Sequence, residues 1–408
     1  MTALADLRVD FCVVGGGPAG LTLALLLARS GARVVVVERS RSLDRAYRGE
    51  ILQPGGQALL AGLGVLDGAR DRGAHPHRRF RFVDRDRVLV DIDYGRLPGP
   101  HNCLLSVPQP HLLGELLAAA ERHGAVHLAA HRVTDLVRAD GRVEGVVTRC
   151  AEGERVVLAH CVVAADGRFS KVRRLAGIPE DRIDVFDQDV LWFKLPLTDA
   201  TPDAVQIFRA MGNPVLAYKS YPDTVQIGWT FPHHGYRPLA ARGLDHLREQ
   251  IALAVPAYAD QVREHLTRLG DLSVLDVFSG TARHWVADGL VLLGDAAHTH
   301  SPIGAQGINL AVQDAVLAHP LLMASKAAGD ATAAFLGRFP SARRADIAKV
   351  VRLQQLQSRA MLSQGGLVSA VRPTAARVMS RTPVFRKVLN RLAYGNPRIR
   401  IATELFVR

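Results

Sequence analysis

Apolar residues along the chain come in two rhythms. Short unbroken runs at 10–14, 33–37, 156–165 and 290–293 read as strands buried on both faces. Between and after them the apolar positions return at helical spacing. This predicts helices over 18–30, near 54–63, over 111–123 and over 307–317. Gly31 ends the first helix, where glycine tolerates a left-handed cap. Strand, loop, helix and strand over 10–37 form a β-α-β unit. Residues 79–93 alternate apolar and polar in short runs broken by Asp84-Arg85-Asp86, as an antiparallel hairpin would. A short strand pair is predicted around 125–137 and 142–149. From 182 to 279 β-branched and aromatic residues dominate. Runs at 190–195, 205–209, 215–220 and 224–231 read as successive strands, interrupted by a helical stretch at 244–255. The chain is thus α/β: a Rossmann-like module, discontinuous in sequence, with an antiparallel sheet inserted and a helical C-terminal segment.

Composition narrows the class. With 48% hydrophobic and 22% charged residues, the chain suits a soluble globular protein of two or three modules. Residues 1–10 carry no basic region ahead of an apolar stretch, so no secretion signal is expected and the cytoplasm is the expected compartment. The apolar run 21–28 is too short to span a bilayer. Cys12, Cys103, Cys150 and Cys161 form no C-x-x-C pair and are expected as reduced thiols. The 16 histidines form no ligand cluster, so no metal is expected.

The net charge of +12 is concentrated at one end. Residues 338–408 carry 15 Lys and Arg against Asp346 and Glu404, which leaves the rest of the chain near neutral. Nucleic acid is not an expected partner, because no binding module or aromatic-basic stripe is visible. Only six of the 51 basic residues are Lys, so the arginine bias is chain-wide. Residues 383–392 would place Phe385, Val388, Leu389 and Leu392 on one helical face. Docking of that face on the first module is the expectation, with peripheral membrane contact as the alternative.

Three glycine-bearing motifs carry the chemistry. Gly15-Gly16-Gly17-Pro18-Ala19-Gly20 closes the first strand and opens a helix. Its glycines at the first, third and sixth positions permit a tight turn, close approach of a pyrophosphate, and close helix–strand packing. The phosphates then meet the positive end of the helix dipole. Glu38 ends the second strand, where a carboxylate can hold a ribose hydroxyl and disfavours a 2′-phosphate. The second motif is Asp166-Gly167, with Ser170 and Arg173 after it. The third is Gly294-Asp295-Ala296-Ala297-His298, followed by Pro302, Gly304, Gly307 and Asn309. No second G-x-G-x-x-G and no redox cysteine pair occur, which excludes the two-domain disulfide reductases.

These motifs, in this order and spacing, resemble the single-component FAD-dependent monooxygenases, the aromatic hydroxylase family typified by para-hydroxybenzoate hydroxylase. The resemblance covers roughly the first 330 residues. It implies FAD as cofactor and NAD(P)H as a transient reductant. The reaction implied is hydroxylation or epoxidation of an aromatic, quinone-like or polyketide small molecule, through a C4a-hydroperoxyflavin. By the same resemblance Arg39 and Val133 would flank the adenine, and Arg48 would lie near the pyrophosphate and the flavin. Gln109 stands where relatives often carry arginine, Asp166 and Gly167 would contact FAD, and Asp295 would bind the ribityl chain. Pro302 would sit beside the flavin ring. The backbone of Gly304, Gly307, Ile308 and Asn309 would stabilise negative charge on the reduced ring. His300 is a candidate for tuning local protonation. The resemblance implies a flavin module (1–75, 101–180, 281–335), a sheet-rich substrate module (76–100, 181–280) and a basic segment (336–408).

The substrate side is less distinct. Tyr218, Trp229 and Phe231 are candidates for lining a pocket on the inserted sheet, among the aromatics there. A flavin halogenase is disfavoured: Trp229 and Pro232 give only a fragment of its motif, and no lysine precedes Lys171. A flavin reductase or dehydrogenase, or an FAD-binding accessory protein without turnover, are the other readings the motifs allow.

Overall fold

The computed structural model describes residues 4–43, 49–84, 87–183, 188–199, 201–210, 213–362 and 382–407. Arg48 falls outside the described residues. At the centre is an eight-stranded sheet. Five of its strands run parallel, in the order Leu290–Leu292, Glu154–Ala164, Leu7–Val14, Val34–Val37 and Val126–Leu128. Every residue of Val34–Val37 is buried, as in a strand covered on both faces. Helix Pro18–Arg29 packs on helices Gln109–Arg122 and Gly307–Ala328.

The pair expected at 125–137 and 142–149 divides between two ladders. Val126–Leu128 joins the parallel set beside Val34–Val37. Ala130 then takes a left-handed turn (φ 57°), and Arg132–Ala139 pairs antiparallel with Arg142–Arg149. That hairpin in turn rides on the first half of the long strand Glu154–Ala164.

A seven-stranded sheet covers one end of the parallel strands. Its order is Ser273–Leu275, Gln188–Pro196, Thr224–Pro232, Asn213–Ser220, Val205–Ala210, Arg79–Asp84 and Arg87–Asp93. All its neighbours are antiparallel except Val205–Ala210 and Arg79–Asp84. That junction is parallel because the hairpin 79–93 arrives from a distant stretch of chain, through a crossover rather than a tight turn. Two three-stranded sheets stitch the layers together. One joins Ile51–Leu52, Leu104–Ser106 and His75–His77; the other joins Glu180–Ile183, Ser279–Ala282 and His298–Thr299.

The C-terminal segment docks on this frame. Helix Pro383–Tyr394 packs on helix Pro54–Gly62, and a Cβ on Gly55 would lie 2.5 Å from Tyr394 O, so the bare glycine permits the contact. Gln306 Nε2 donates to Leu392 O at 3.0 Å. Leu389 and Ala393 are buried, with Phe385 beside them, while Arg386, Lys387 and Arg391 face solvent. Among the described residues no helix is long and apolar enough to cross a membrane. All four cysteines are free thiols, and burial pushes Cys12 and Cys161 up to about 12.

Candidate functional site

The three motifs meet at the carboxyl ends of three adjacent parallel strands. Ala165 N donates to Val14 O at 2.8 Å and Leu293 N to Ala164 O at 2.9 Å. Gly15 has φ +109°, and a Cβ there would lie 2.3 Å from Ala165 O. A Cβ on Gly20 would lie 1.9 Å from Gly15 O. Only bare glycine lets the loop, the helix and the second motif close on one another. Gly17 is the N-cap of helix Pro18–Arg29, and no side chain caps it among the described residues, so the N–H groups of Ala19 and Gly20, ahead of the first helical bond from Leu21 N to Gly17 O, are placed to hold an anion.

Glu38 is buried and already has structural work. Its Oε2 accepts from Gly16 N and its Oε1 from Ser40 N, both at 2.8 Å. Arg39 is exposed beside it, and Val133 is buried on Arg132–Ala139. Gln109 Nε2 donates to Gly49 O at 3.0 Å and so ties the start of helix Gln109–Arg122 to Gly49.

Asp166 serves its own turn. Its Oδ1 accepts from Ser170 Oγ at 2.5 Å, and its Oδ2 accepts from Lys171 N at 2.7 Å and Val172 N at 3.0 Å. Burial pushes its pKa up. Gly167 follows at φ +84° with open space at its Cβ position. Arg173 ties this motif to the third, donating to Ala296 O at 3.0 Å and pairing with Glu180 at 2.8 Å. Arg168 Nε lies 3.9 Å from Asp295 Oδ2. Asp295 itself is part-exposed at the strand end.

Pro302, Gly304 (φ +77°) and Ala305 (φ +49°) form the turn into helix Gly307–Ala328. Its N-cap, Gln306, provides no side-chain cap, and Gly307 is exposed with open space around it. Ile308 is half-buried in the same turn. Asn309 pins the turn to the start of helix Pro54–Gly62: Oδ1 accepts from Gln53 N at 3.0 Å, and Nδ2 donates to Ala305 O at 2.8 Å. The donor set fits FAD. One open helix start suits a pyrophosphate, carboxylates at two strand ends suit sugar and ribityl hydroxyls, and a second open helix start suits the electron-rich edge of a flavin.

The cover sheet presents two faces. Trp192, Gly228 and Leu216 lie side by side across three strands, and a Cβ on Gly228 would meet the Trp192 ring at 2.5 Å. That face also carries Val190 and Tyr218, and it packs with Ile51, Tyr94, Leu104 and Leu389, next to Ile303 and Ala305. Trp229 and Phe231 point the other way. They pack with Leu191, Phe193, Leu247, Ile251 and Tyr258 under helices Leu244–Ala254 and Ala259–His265. Of the three candidates for lining a pocket on the inserted sheet, Tyr218 shares the face next to Ile303 and Ala305, and Trp229 and Phe231 do not. Strand alternation puts them on the opposite side of the sheet from Tyr218. Glu50, which the sequence did not single out, pins the inner face to the central frame: Ser220 Oγ donates to Oε2 at 2.6 Å, and Lys194 Nζ lies 2.9 Å from Oε1.

Residues 8–354 match the FAD binding domain family. The chain belongs to that family. Over 400 residues it is 59% identical to the 6-methylpretetramide 4-monooxygenase of Streptomyces rimosus, covering 98% of this chain and 95% of that one. The p-nitrophenol 4-monooxygenase structure from Pseudomonas putida aligns with a TM-score of 0.81 at 21% identity, over 96% of this chain and 99% of that one. The anhydrotetracycline hydroxylase structure from Streptomyces rimosus aligns at 0.78 and 24% identity, over 97% and 78%. At those identities the two structures speak for the fold. The chain is an FAD-dependent monooxygenase, with NAD(P)H as reductant and a small molecule as substrate.

Behind the third motif the monooxygenase holds a buried polar network. Asp314 Oδ1 accepts from Arg343 Nε at 2.7 Å, and Oδ2 lies 2.7 Å from His298 Nε2. His298 Nδ1 lies 2.8 Å from His300 Nε2. Burial works to raise the Asp314 carboxyl, but the attraction of His298 and Arg343 outweighs it and holds the group well below the usual carboxylate range. Burial, with His298 beside it, pushes His300 well below the ordinary imidazole value. Among the described residues one further His/Asp group, Asp189, His233 and Asp276, is close enough to share an ion. Its Asp189 already accepts from His233 Nδ1, His234 N and Val277 N.

Proposed function

We propose that this monooxygenase hydroxylates a planar, polycyclic aromatic polyketide held between the inner face of the cover sheet and the turn at Pro302. The observation that carries the reading is the apolar junction where Val190, Trp192 and Tyr218 face Ile303 and Ala305. The name of the 59% identical relative, a monooxygenase of 6-methylpretetramide, supports the substrate class.

When bound, FAD would supply the reductive activation of dioxygen, one atom of which goes to the substrate and the other to water. The protein supplies the seat. Gly15, Gly17, Pro18, Ala19 and Gly20 would present backbone to the pyrophosphate, and Glu38, Arg39 and Val133 would receive the adenosine end. Arg48, Gln109, Asp166 and Gly167 would frame the middle of the cofactor, and Asp295 would accept from ribityl hydroxyls. Pro302, Gly304, Gly307, Ile308 and Asn309 would border the ring. His300, neutral in its buried setting, would leave the ring's surroundings without an added positive charge. The inner-face aromatics keep water from the reacting centre. The reading keeps the division into a flavin module, a substrate module and a basic C-terminal segment, and places the protein in the cytoplasm. The apolar side of helix Pro383–Tyr394 is used in the junction, which argues against membrane insertion through it.

The test is NADH and NADPH oxidation with oxygen uptake by the purified yellow protein, across monocyclic phenols and polycyclic polyketides. Acceleration by a polycyclic compound, with a product heavier by about 16 mass units, is the expected result. A product gaining hydrogen rather than oxygen would overturn the assigned reaction. Equal acceleration by monocyclic phenols would overturn the assigned substrate size.

A further inference from the structure

Residues 294–303 run from the Gly294-Asp295 pair to the residue after Pro302, and buried side chains from two helices hold both ends. At the start, Gly294 N donates to Asp314 Oδ2 at 2.9 Å. At the far end, Gln354 Nε2 donates to Ser301 O at 3.0 Å and to Ile303 O at 2.8 Å, so Pro302 lies between two clamped carbonyls. The His298–His300 pair spans the middle, anchored on Asp314. Asp314 is anchored in turn by Arg343, which also donates to Gln313 Oε1 and Leu310 O.

Arg343 and Gln354 lie on one face of helix Arg338–Leu362, three turns apart, about 16 Å along its axis. Both are fully buried, where a core helix would ordinarily place apolar residues. Such groups are expensive unless every partner is in place. One position is incomplete. His300 Nδ1 and Gln354 Oε1 complete no hydrogen bond among the described residues, although the two side chains interact.

We propose that Arg343 and Gln354 are positioning residues for segment 294–303, Arg343 acting through Asp314 and the His298–His300 pair and Gln354 through the carbonyls of Ser301 and Ile303, so that helix Arg338–Leu362 sets how the flavin ring is held; this rests on the proposed seat of FAD against that segment. Neither residue touches the cofactor in this scheme. They fix the carbonyls and turn that do.

The experiment compares full-length wild type, Gln354→Leu and, as a control on the exposed side of the same helix, Arg352→Ala. Each apoprotein is titrated with FAD by flavin fluorescence, and the visible circular dichroism of the bound flavin is recorded. Gln354→Leu keeps the side-chain volume but strips both carbonyls of their donor. It is expected to weaken FAD binding by at least about tenfold and to change the flavin dichroism, while Arg352→Ala matches wild type. A purely structural role would lower the melting temperature and leave the dichroism of the bound flavin unchanged, and that result overturns the proposal. If Gln354→Leu does not fold, His300→Asn, which shortens the middle strut, decides on the same two readings. A wild-type protein that bound no FAD would overturn the seat itself. Wild-type binding with unchanged variants overturns only the positioning role.

Discussion

One face of the cover sheet carries Leu191, Phe193, Val225, Ile227, Trp229 and Phe231; the other carries Val190, Trp192, Leu216, Tyr218, Gln226 and Gly228. The strands are the same, and the residues interleave. The outer face is mostly apolar and is sealed by two helices, as a small independent core would be. The inner face mixes aromatics with a glycine, a glutamine and the Lys194–Glu50 pair, and it meets three other parts of the chain. Hydrophobicity alone does not rank the two faces. The more apolar face packs under its own two helices, and the mixed face is the one that packs against Ile51, Leu104, Leu389 and the turn at Ile303 and Ala305.

Substitutions on the two faces should separate stability from substrate handling. The largest effect is expected on the outer face. Trp229→Ala should cost about 3–5 kcal/mol in chemical denaturation, through the cavity it leaves. The flavin-loaded fraction should keep its KM. A raised KM with unchanged stability would reverse the assignment of the two faces.

Next comes a pH effect at the rim of the inner face. His77 is buried against Tyr218, its Nε2 donates to Lys219 O at 3.0 Å, and burial lowers its pKa to about 4. The folded state binds this proton less readily than the unfolded chain. The contribution to stability is therefore complete above pH about 6.5 and is lost as pH falls to about 4, a change on the order of 3 kcal/mol. His77→Gln should flatten the melting temperature between those limits. An unchanged slope in the variant would remove His77 from the account.

Gly228→Ala is expected to cost about 1–3 kcal/mol, because the new methyl must displace the Trp192 ring. It should also raise KM, since that ring walls the proposed pocket. Wild-type KM in a destabilised Gly228→Ala protein would place the substrate elsewhere. The smallest effect is expected for Tyr218→Phe. Loss of one hydroxyl should change KM by a few-fold, with stability altered by about 1 kcal/mol. Identical kinetics would mean that the hydroxyl meets no substrate.

Much of the fold was legible because its signals are local. Buried runs and helical periods located the central strands and the starts of the main helices to within a few residues, although helix Gly307–Ala328 runs on well past the expected end at 317, and the glycine motifs marked three strand ends. The partner of Glu38 was not legible, since Gly16 N and Ser40 N reach it only after the turn has formed. The same holds for Glu50, an isolated acid with no motif around it. A faint signal did exist for the buried network. Asp314 interrupts a helix that is otherwise apolar nearly all round, and Arg343 and Gln354 fall in step with Phe339 and Ile347 on a buried stripe. A charge at a core position is a request for a partner, but the chain does not say which one.

By itself the sequence determined the α/β alternation, the order of the three motifs and the kind of cofactor they suit. These follow from backbone sterics, the helix dipole and periodicity, all of which act within a few residues. Only the tertiary structure decided which face of the cover sheet turns inward. The alternation of a strand defines two faces without ranking them, and the choice was made by what packs against each. It likewise decided that a basic C-terminal helix reaches back to hold the turn at Pro302. Contacts across such a span of chain depend on how whole layers dock, which no local pattern encodes.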